Sequence, residues 1–418
     1  MKTKGYMHLS NVYYDNQYDY LNLYDSRINS DECIHLDFLI NDSPAFFIET
    51  PELLKAVIEI TRIDKEIKQI MNALPQIALN QYIHKCLIDE IVLTNSIEGV
   101  YSTRKEIGDL LDNPKAKSKR FVGLVKKYIA LTDERHLPIE SSTDVRSFYD
   151  EMFLPEVIED DPNNIPDGKI FRNGPVEVIN SAQKVIHQGL FPESKIIESI
   201  DKAIKILNDK EIEPLFRIAI FHYLFGYIHP FYDGNGRLNR FISSYYLANT
   251  LESIMAFRLS YTIKENVNRY YKSFKVVNSS INKGDITPFI YSFVDFIKES
   301  CINLRNGLKN KSEIFNNFIP RLEALPNAEN ENYKNLYFYL LQASLFSELG
   351  ISTSDLLKCL NISRPTLQKR LTVIDKQQLS IILNHYFAGI ISIQYPSGSS
   401  MKYIPIPSLT NTIQSSSS

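Results

Sequence analysis

The sequence predicts a mostly α-helical protein with one β-hairpin and, near its C-terminus, a small winged helix-turn-helix unit. Three observations support this fold class. Apolar residues recur at helical spacing through most of residues 49–309. Residues 161–181, DPNNIPDGKIFRNGPVEVINS, surround an alternating VEVI with turn residues, as in a hairpin. Two short helical patterns, STSDLLKCL and SRPTLQKRLTVI, are separated only by NI.

The elements follow in order from local signals. Residues 1–45 are rich in Tyr, Asn and Asp, and predict loops with a short strand or two. Thr50 is suited to cap a helix that begins at Pro51, and Thr103 with Glu106 forms a capping box for a later one. Further helices are expected over residues 78–97, 118–133, 143–154, 194–208, 211–228, 236–251, 263–277, 286–309 and 331–345, and HYFAGIISIQY is expected to be a strand.

These elements divide the chain into five segments. The helical pattern weakens over residues 309–330, which predicts a linker, and the Ser-rich residues 406–418 predict a disordered tail. We expect an N-terminal region over 1–114, a helical core over 115–308 and the winged helix-turn-helix unit over 331–405.

Composition limits the partners. The net charge of −3 gives the whole molecule no bias toward polyanions. The start, MKTKGYMHLSNVYYD, does not resemble a secretory signal, and no apolar run is long enough to span a membrane. The four cysteines are scattered, without a CxxC pair. These features predict a cytoplasmic protein without a membrane partner.

One dense cluster of polar groups, HPFYDGNGRLNR at residues 229–240, directly follows the apolar run LFRIAIFHYLFGYI. Pro230 disfavours helix at His229, and the next helix is expected to start near Gly236. The DGNG turn therefore lies at a helix N-terminus, where free N–H groups and close backbone approach favour an anion.

The charged residues of the cluster suit the same ligand. Arg237 and Arg240 are three apart on one helix face and can bind one oligophosphate. Asp233 offers an oxygen ligand for Mg²⁺, and His229 is a base of suitable pKa. The cluster thus predicts a nucleotide-phosphate site with an activated hydroxyl nucleophile. A transition-metal site at His222, His229 and Asp233 is disfavoured, because Pro230 interrupts the shared helix face, and His222 is expected in the core.

HPFYDGNGRLNR matches the Fic pattern HPFx[DE]GNGRxxR at every position, so the chain resembles the Fic family. The resemblance implies a helical Fic core that transfers AMP from ATP, with Mg²⁺, to a Ser, Thr or Tyr hydroxyl of a protein, including the chain itself. It implies these roles: His229 as base, Phe231 as loop anchor, Asp233 as Mg²⁺ ligand, Gly234, Asn235 and Gly236 as phosphate nest with the Asn235 side chain toward the α-phosphate, and Arg237 and Arg240 as clamps of the β- and γ-phosphates. The related Doc proteins, which transfer phosphate, have lysine in place of Gly236.

The hairpin resembles the flap on which Fic proteins dock a target strand. The candidate is RNGPVEVI, with Arg172, Val176 and Val178 as docking residues. An ordinary surface hairpin is the alternative.

LTNSIEGV, at residues 93–100, resembles the inhibitory helix of the same family. Thr94, Glu98 and Gly99 match its pattern [ST]xxxE[GN]. Pairing of Glu98 with Arg240 would then oppose the productive pose of ATP. The alternative is a helix that ends at a glycine cap with Glu98 in solvent.

The C-terminal unit carries more basic than acidic residues, so DNA is a candidate partner. A protein-contact or dimerisation scaffold is the alternative, and the sequence leaves homodimerisation open. Two other functions also remain open, namely removal of AMP from a modified protein and DNA-binding regulation with a nucleotide-sensing core.

Overall fold

Apolar residues at helical spacing fold most of the chain into α-helices, which confirms the prediction of a mostly helical protein. The computed structural model describes residues 6–112, 120–132, 138–179, 185–325, 327–374, 392–394 and 402–404. Its α-helices are α1 (Leu9–Asp15), α2 (Gln17–Ile28), α3 (Pro51–Ala73), α4 (Gln76–Ile97), α5 (Arg104–Asp112), α6 (Val122–Thr132), α7 (Ser142–Met152), α8 (Leu154–Asp160), α9 (Glu193–Leu207), α10 (Pro214–Ile228), α11 (Asn235–Thr250), α12 (Leu259–Glu265), α13 (Val267–Val277), α14 (Thr287–Phe318), α15 (Glu331–Phe346), α16 (Thr353–Leu360) and α17 (Arg364–Val373).

The described strands form separate two-stranded antiparallel sheets. They are β1 (Cys33–Ile40) with β2 (Ser43–Ile48), β3 (Glu177–Ile179) with β4 (Val185–Gln188), and β5 (Ser392–Gln394) with β6 (Lys402–Ile404). The second pair is the hairpin that the VEVI alternation predicts. β5 lies within the strand predicted over HYFAGIISIQY, whereas the rest of that segment and the predicted tail lie outside the described residues.

The cap predictions hold in the structure. The Leu53 N–H donates to Thr50 Oγ1 over 3.3 Å at the start of α3. At α5, the Glu106 N–H donates to Thr103 Oγ1 over 3.1 Å, and Glu106 Oε2 accepts from the Thr103 N–H over 3.5 Å. Local side-chain chemistry therefore sets both helix starts.

Three stretches differ from the sequence prediction. The N-terminal loops contain α1 and α2, and Asn16 caps α2 by accepting the Tyr18 N–H over 3.0 Å. The single helix predicted over 263–277 is two helices that meet at Asn266. The predicted linker begins as the last part of α14, where Phe315 is buried, and continues as a 3₁₀ segment at Ile319–Ala324.

The chain divides into two compact units. Unit 1 comprises Met1–Ile67 and Leu87–Leu304, and unit 2 comprises Lys68–Cys86 and Arg305–Ser418. In unit 1, α10 is buried along almost its whole length and packs against α9 and α11. In unit 2, the Ala78 N–H donates to Gln342 Oε1 over 3.1 Å, and α15, α16 and α17 follow one another.

Among the described helices, none combines the length and the apolar content that crossing a bilayer requires.

Candidate active site

The site begins where α10 ends. His229 follows α10 in the left-handed conformation, with φ 54° and ψ 65°, and its N–H donates to the Phe225 carbonyl oxygen over 2.9 Å. This conformation is uncommon for a residue other than glycine. It turns the chain sharply out of the buried helix, so that His229 and the loop after it lie at the edge of the core of unit 1.

Buried aromatic rings pack against the loop between α10 and α11. The ring of Phe231 is fully buried and lies parallel to the ring of Tyr149, with a centroid separation of 3.7 Å. The Phe171 ring contacts Phe231 edge-on at 5.3 Å. Gly234 has φ +79°, and a Cβ atom there would lie 3.2 Å from Tyr149. The structure therefore places Phe231 as an anchor, and Gly234 where a glycine is required.

The Asn235 side chain closes the loop on itself. Its Oδ1 accepts the Phe231 N–H over 2.9 Å, and its Nδ2 donates to the Phe231 carbonyl oxygen over 2.8 Å. Both ends of the amide are thus engaged by backbone. This differs from the expected orientation toward an α-phosphate. In this structure the side chain holds the loop, and the Asn235 backbone N–H remains for a ligand.

The start of α11 offers backbone donors. The first bond from a helix N–H is that of Leu238, which donates to the Gly234 carbonyl oxygen over 3.0 Å. The preceding N–H groups, those of Asn235, Gly236 and Arg237, have no intrahelical acceptor, as in any helix N-terminus. These donors and the helix dipole favour a bound anion at the predicted position.

Arg237 is fully buried beside this helix start. Its Nη1 lies 2.5 Å from Oε1 of the buried Glu156, and its guanidinium lies 4.8 Å above the Phe153 ring. The Nη2 atom lies 3.6 Å from Asp233 Oδ2, and neither Nε nor Nη2 has a hydrogen-bond acceptor in the described residues. A buried guanidinium with unused N–H groups is suited to bind phosphate oxygens.

Arg240, one turn later, is held by the C-terminal end of α4. Its Nη1 lies 2.7 Å from Glu98 Oε1. Its Nε donates to Thr94 Oγ1 over 2.8 Å, and its Nη2 donates to the Thr94 carbonyl oxygen over 3.0 Å. A Cβ atom at Gly236 would collide with the Glu98 carboxylate. The carboxylate therefore lies against the helix start that would receive an anion.

The end of α4 explains how Glu98 reaches this position. Gly99 has φ +76°, and the Val100 N–H returns to the Asn95 carbonyl oxygen over 3.0 Å. This is the glycine-terminated helix end that the sequence left as the alternative. However, the Glu98 side chain is only 29% exposed and is paired with Arg240, so it does not lie free in solvent.

Burial keeps His229 neutral at ordinary pH. Desolvation, with a smaller contribution from the nearby His187, lowers the pKa of His229 to about 4. A hydrogen bond from the ring to the Gly226 carbonyl opposes this shift but does not reverse it. A neutral imidazole with one nitrogen engaged by a carbonyl has its other nitrogen available as a base.

His222 is a core residue, as expected. It is fully buried, and its ring nitrogens lie 2.8 Å from Ser243 Oγ and 2.7 Å from the Tyr270 hydroxyl. Both nitrogens are thus occupied by hydroxyl groups, which leaves none for a metal. Desolvation lowers the pKa of His222 well below its usual value.

The β3–β4 hairpin adjoins the motif. The Tyr232 hydroxyl donates to Asp167 Oδ1 over 2.9 Å and accepts the Gly174 N–H over 2.8 Å, which ties the approach to β3 to the loop. Val176 and Val178 are half-buried on the hairpin. Arg172 differs from the docking role expected of it. It precedes β3 and is fully buried, and its N–H groups donate to backbone carbonyls.

Asp233 fits the requirements of a magnesium ligand. Its side chain is 48% exposed. Oδ1 accepts the Gly234 N–H over 2.6 Å, which orients the carboxylate, and Oδ2 lies 3.6 Å from Arg237 Nη2. No cluster of three or more His, Cys, Asp or Glu side chains in the described part of the chain could hold a metal. A single carboxylate is sufficient for Mg²⁺ that arrives with nucleotide phosphates.

Comparison with known proteins shows what this part of the chain is similar to. A family model described as "Fic/DOC family" matches residues 143–247, which include α7 to α10 and most of α11. The chain carries a Fic domain. The motif 229–240 and Glu156 lie inside the match, whereas Thr94 and Glu98 lie outside it.

Curated relatives are similar to this chain over about 100 residues. The chain is 30% identical over 100 residues to "Protein adenylyltransferase Fic" of Drosophila yakuba, which covers 24% of this chain and 18% of the relative. It is 35% identical over 92 residues to the protein of the same name from Drosophila erecta, which covers 21% and 17%. The chain thus spans about a fifth of the length of these relatives.

Two solved structures are also similar. A Fic family protein from Desulfovibrio desulfuricans matches with a TM-score of 0.49 and 20% identity, over 87% of this chain and 98% of that one. A Fic domain containing signaling protein from Bacteroides thetaiotaomicron matches with a TM-score of 0.45 and 17% identity, over 61% of this chain and 97% of that one.

Glu156 was not found from the sequence. It lies 81 positions before Arg237 and is an ordinary acidic residue of LPEVIED, without a motif around it. Its burial and its contact with Arg237 show that it holds this guanidinium in place.

Proposed function

We propose that this chain is a protein adenylyltransferase that transfers AMP from ATP to a Ser, Thr or Tyr hydroxyl of a protein, including itself. One arrangement carries the proposal. His229 directly follows α10, and Gly236, Arg237 and Arg240 lie in the first two turns of α11, which begins six residues later. Positive charge and backbone donors at a helix N-terminus are suited to a triphosphate. The curated relatives that share this domain are protein adenylyltransferases by name.

The residues support a single displacement at phosphorus. The neutral imidazole of His229 removes the proton of the target hydroxyl as its oxygen forms a bond to the α-phosphorus. The bond between that phosphorus and the bridging oxygen of the β-phosphate breaks, and pyrophosphate leaves. Arg237, Arg240 and the N–H groups of α11 stabilise the negative charge of the phosphates. Mg²⁺ held by Asp233 would neutralise part of the same charge.

We further propose that Glu98 restrains this activity. Its carboxylate occupies Arg240 and adjoins Gly236, both of which the phosphates of ATP would need. Two negative groups at one partly buried site repel each other. The contact between Glu98 and Arg240 therefore opposes the productive pose of the γ-phosphate. Removal of the carboxylate would free Arg240 to bind that phosphate.

Labelled nucleotides test the proposal. The Glu98→Gly protein, with Mg²⁺ and ATP labelled at either the α- or the γ-phosphate, should retain label on protein only from the α-position. Label from the γ-position would indicate phosphate transfer instead. No protein-bound label from either position, with a supplied cell extract as target source, would contradict the proposal. Loss of existing label from a modified target would identify the reverse reaction, deadenylylation.

A second candidate function, binding of double-stranded DNA, is favoured by unit 2. Asn361, in the left-handed conformation, joins α16 to α17, and Leu356, Leu367 and Leu371 form a small buried core. This is the layout of a helix-turn-helix, in which the second helix enters the major groove. The basic side chains of these two helices, Lys358, Arg364, Lys369 and Arg370, outnumber the one acidic residue, Asp355.

Fluorescence anisotropy with labelled duplex DNA tests this second function. Arg364→Glu and Lys369→Glu should each weaken binding and reduce its salt dependence, because each removes a contact to phosphate. Lys309→Glu, a charge reversal of an exposed lysine on α14, is the matched control. Equal affinity of all three variants would contradict DNA binding through α17.

A further inference from the structure

Arg172 is a fully buried arginine that bonds to main chain instead of to a carboxylate among the described residues. Nε donates to the His229 carbonyl oxygen over 2.9 Å, and Nη1 donates to that of Gly174 over 2.6 Å. Nη2 donates to the carbonyl oxygens of Leu190 over 2.8 Å and Ile228 over 3.5 Å. One guanidinium thus joins the two ends of the hairpin to the first residue of the motif.

Two of these acceptors are the carbonyls that α10 leaves without partners. The last carbonyl groups of a helix lack intrahelical donors, and a cation near them is stabilising. Ile228 receives a second donor, the Leu190 N–H, over 3.0 Å. Arg172 therefore caps α10 at the point where His229 adopts its uncommon left-handed conformation.

The exit of β4 is packed directly on this cap. A Cβ atom at Gly189 would lie 2.5 Å from Arg172 Nη2, 2.8 Å from Val176 Cγ1 and 3.1 Å from His229 Cβ. Only glycine leaves room for the three groups to meet. The hairpin and His229 consequently form one packed unit, with Arg172 as its polar centre.

We propose that Arg172 is a positioning residue that fixes the His229 imidazole relative to the β3–β4 hairpin. This inference rests on the proposed function. A target strand bound to the hairpin would present its hydroxyl to His229. Because Arg172 bonds to both the hairpin and the His229 backbone, it would fix the distance between that hydroxyl and the imidazole. Loss of the guanidinium would leave ATP binding intact and would misalign the base against the incoming hydroxyl.

Kinetics in the Glu98→Gly background test the positioning role. Arg172→Gln should lower kcat by about 100-fold, the usual scale for a small misplacement of a reacting group, and should leave the Kd for ATP unchanged. The kcat of Arg172→Lys should lie between that of Arg172→Gln and that of the protein with Arg172, because lysine keeps the charge but satisfies fewer carbonyls. Arg146→Gln is the matched control, since Arg146 donates to the nearby Ile170 carbonyl over 2.6 Å without contacting His229. It should retain full kcat.

Gly189→Ala tests the same role in a protein that keeps the Arg172 guanidinium. The added methyl group pushes on Arg172 and His229 together, so kcat should again fall while ATP binding is retained. Circular dichroism identifies any variant that does not fold. If Arg172→Gln does not fold, the alanine variant decides, and its full kcat would overturn the proposal.

Titration of the His229 imidazole by NMR separates this proposal from the proposed function. His187 and Arg172 act electrostatically to lower the pKa of His229, whereas Asp233 acts to raise it. Removal of the Arg172 charge should raise the pKa of His229, and the ring signals should shift. These changes require no AMP transfer, so they test the positioning role even if the Glu98→Gly protein proves inactive. An unchanged imidazole titration in Arg172→Gln would overturn the proposal.

Discussion

Glu98 Oε1 lies 2.7 Å from Nη1 of Arg240, across 142 positions of sequence. Arg240 is fully buried, and two further N–H groups, on Nε and Nη2, donate to Thr94. Because all three guanidinium nitrogens contact the C-terminal end of α4, a γ-phosphate that binds Arg240 has to compete with these contacts. We therefore expect nucleotide binding at Arg240 to depend on the position of the C-terminal end of α4.

Glu98 variants should separate the charge from the shape of this contact. Glu98→Ala and Glu98→Gly both remove the carboxylate, and each should raise AMP incorporation at least about tenfold, equivalent to ~1.4 kcal/mol of barrier. Glu98→Gln keeps the size of the side chain and removes its charge. If AMP incorporation also rises in this variant, the restraint is due to the charge. Incorporation of labelled AMP is the measurement. Equal rates for wild type and all three variants would contradict the restraint.

Asn235→Asp should damage the loop while preserving side-chain volume. In place of Nδ2, a carboxylate oxygen would face the Phe231 carbonyl oxygen, which Nδ2 now approaches to 2.8 Å. We expect the free energy of unfolding to fall by about 1–3 kcal/mol, the usual cost of an unsatisfied buried acceptor. Urea denaturation measures it. A variant as stable as the wild type would mean that the loop does not depend on this amide.

The low pKa of His229 predicts the pH dependence of both activity and stability. The folded pKa, about 4, lies below the ordinary value of 6.5. The unfolded state therefore binds the proton more readily, and the stabilising contribution is present above about pH 6.5 and lost as the pH falls toward 4. For the same reason the free enzyme keeps its base neutral at pH 7. NMR titration of His229 measures this directly, and a value near 6.5 would contradict it.

The pKa of Glu90 is shifted in the opposite direction, and so is its effect on stability. This fully buried carboxyl on α4 accepts hydrogen bonds from the Ser260 N–H over 2.9 Å and from the Ser260 hydroxyl over 2.6 Å. Desolvation raises its pKa to about 7, above the ordinary value of 4.5. A raised folded pKa gives stability that is present below about pH 4.5 and is lost as the pH rises through 7.

Glu90→Gln should remove that pH dependence, because the amide stays neutral and still offers an acceptor to Ser260. Between pH 5 and 8, the variant should therefore gain stability relative to the wild type. Parallel urea denaturation at several pH values measures the difference. A constant difference across this range would show that Glu90 does not titrate within it.

The sequence predicts much of this site because its chemistry is local. The residues concerned lie within twelve positions, from the end of α10 to the first two turns of α11, and they are His229, Asp233, Gly234, Gly236, Arg237 and Arg240. Thr94 and Glu98 could be found only through the family pattern, and in the structure both contact Arg240.

The residues whose positions differ act through tertiary contacts. Glu156 reaches Arg237 only through the packing of α8 beside α11, and local sequence gives no sign of it. Arg172 reads as an exposed residue of a turn-rich segment, yet it caps a distant helix end. The Asn235 amide satisfies its own loop, because a buried amide bonds to the nearest backbone groups. In each case the burial of a polar side chain, which the sequence does not specify, determines its role.

The most direct measurement is intact-protein mass spectrometry of the purified Glu98→Gly protein after incubation with ATP and Mg²⁺, beside the Glu98→Gly, His229→Ala double variant. The account predicts that the single variant gains the mass of one or more adenylyl groups and that the double variant gains none. An adduct of equal abundance on both proteins, or no adduct on either while a supplied target also stays unmodified, would contradict it.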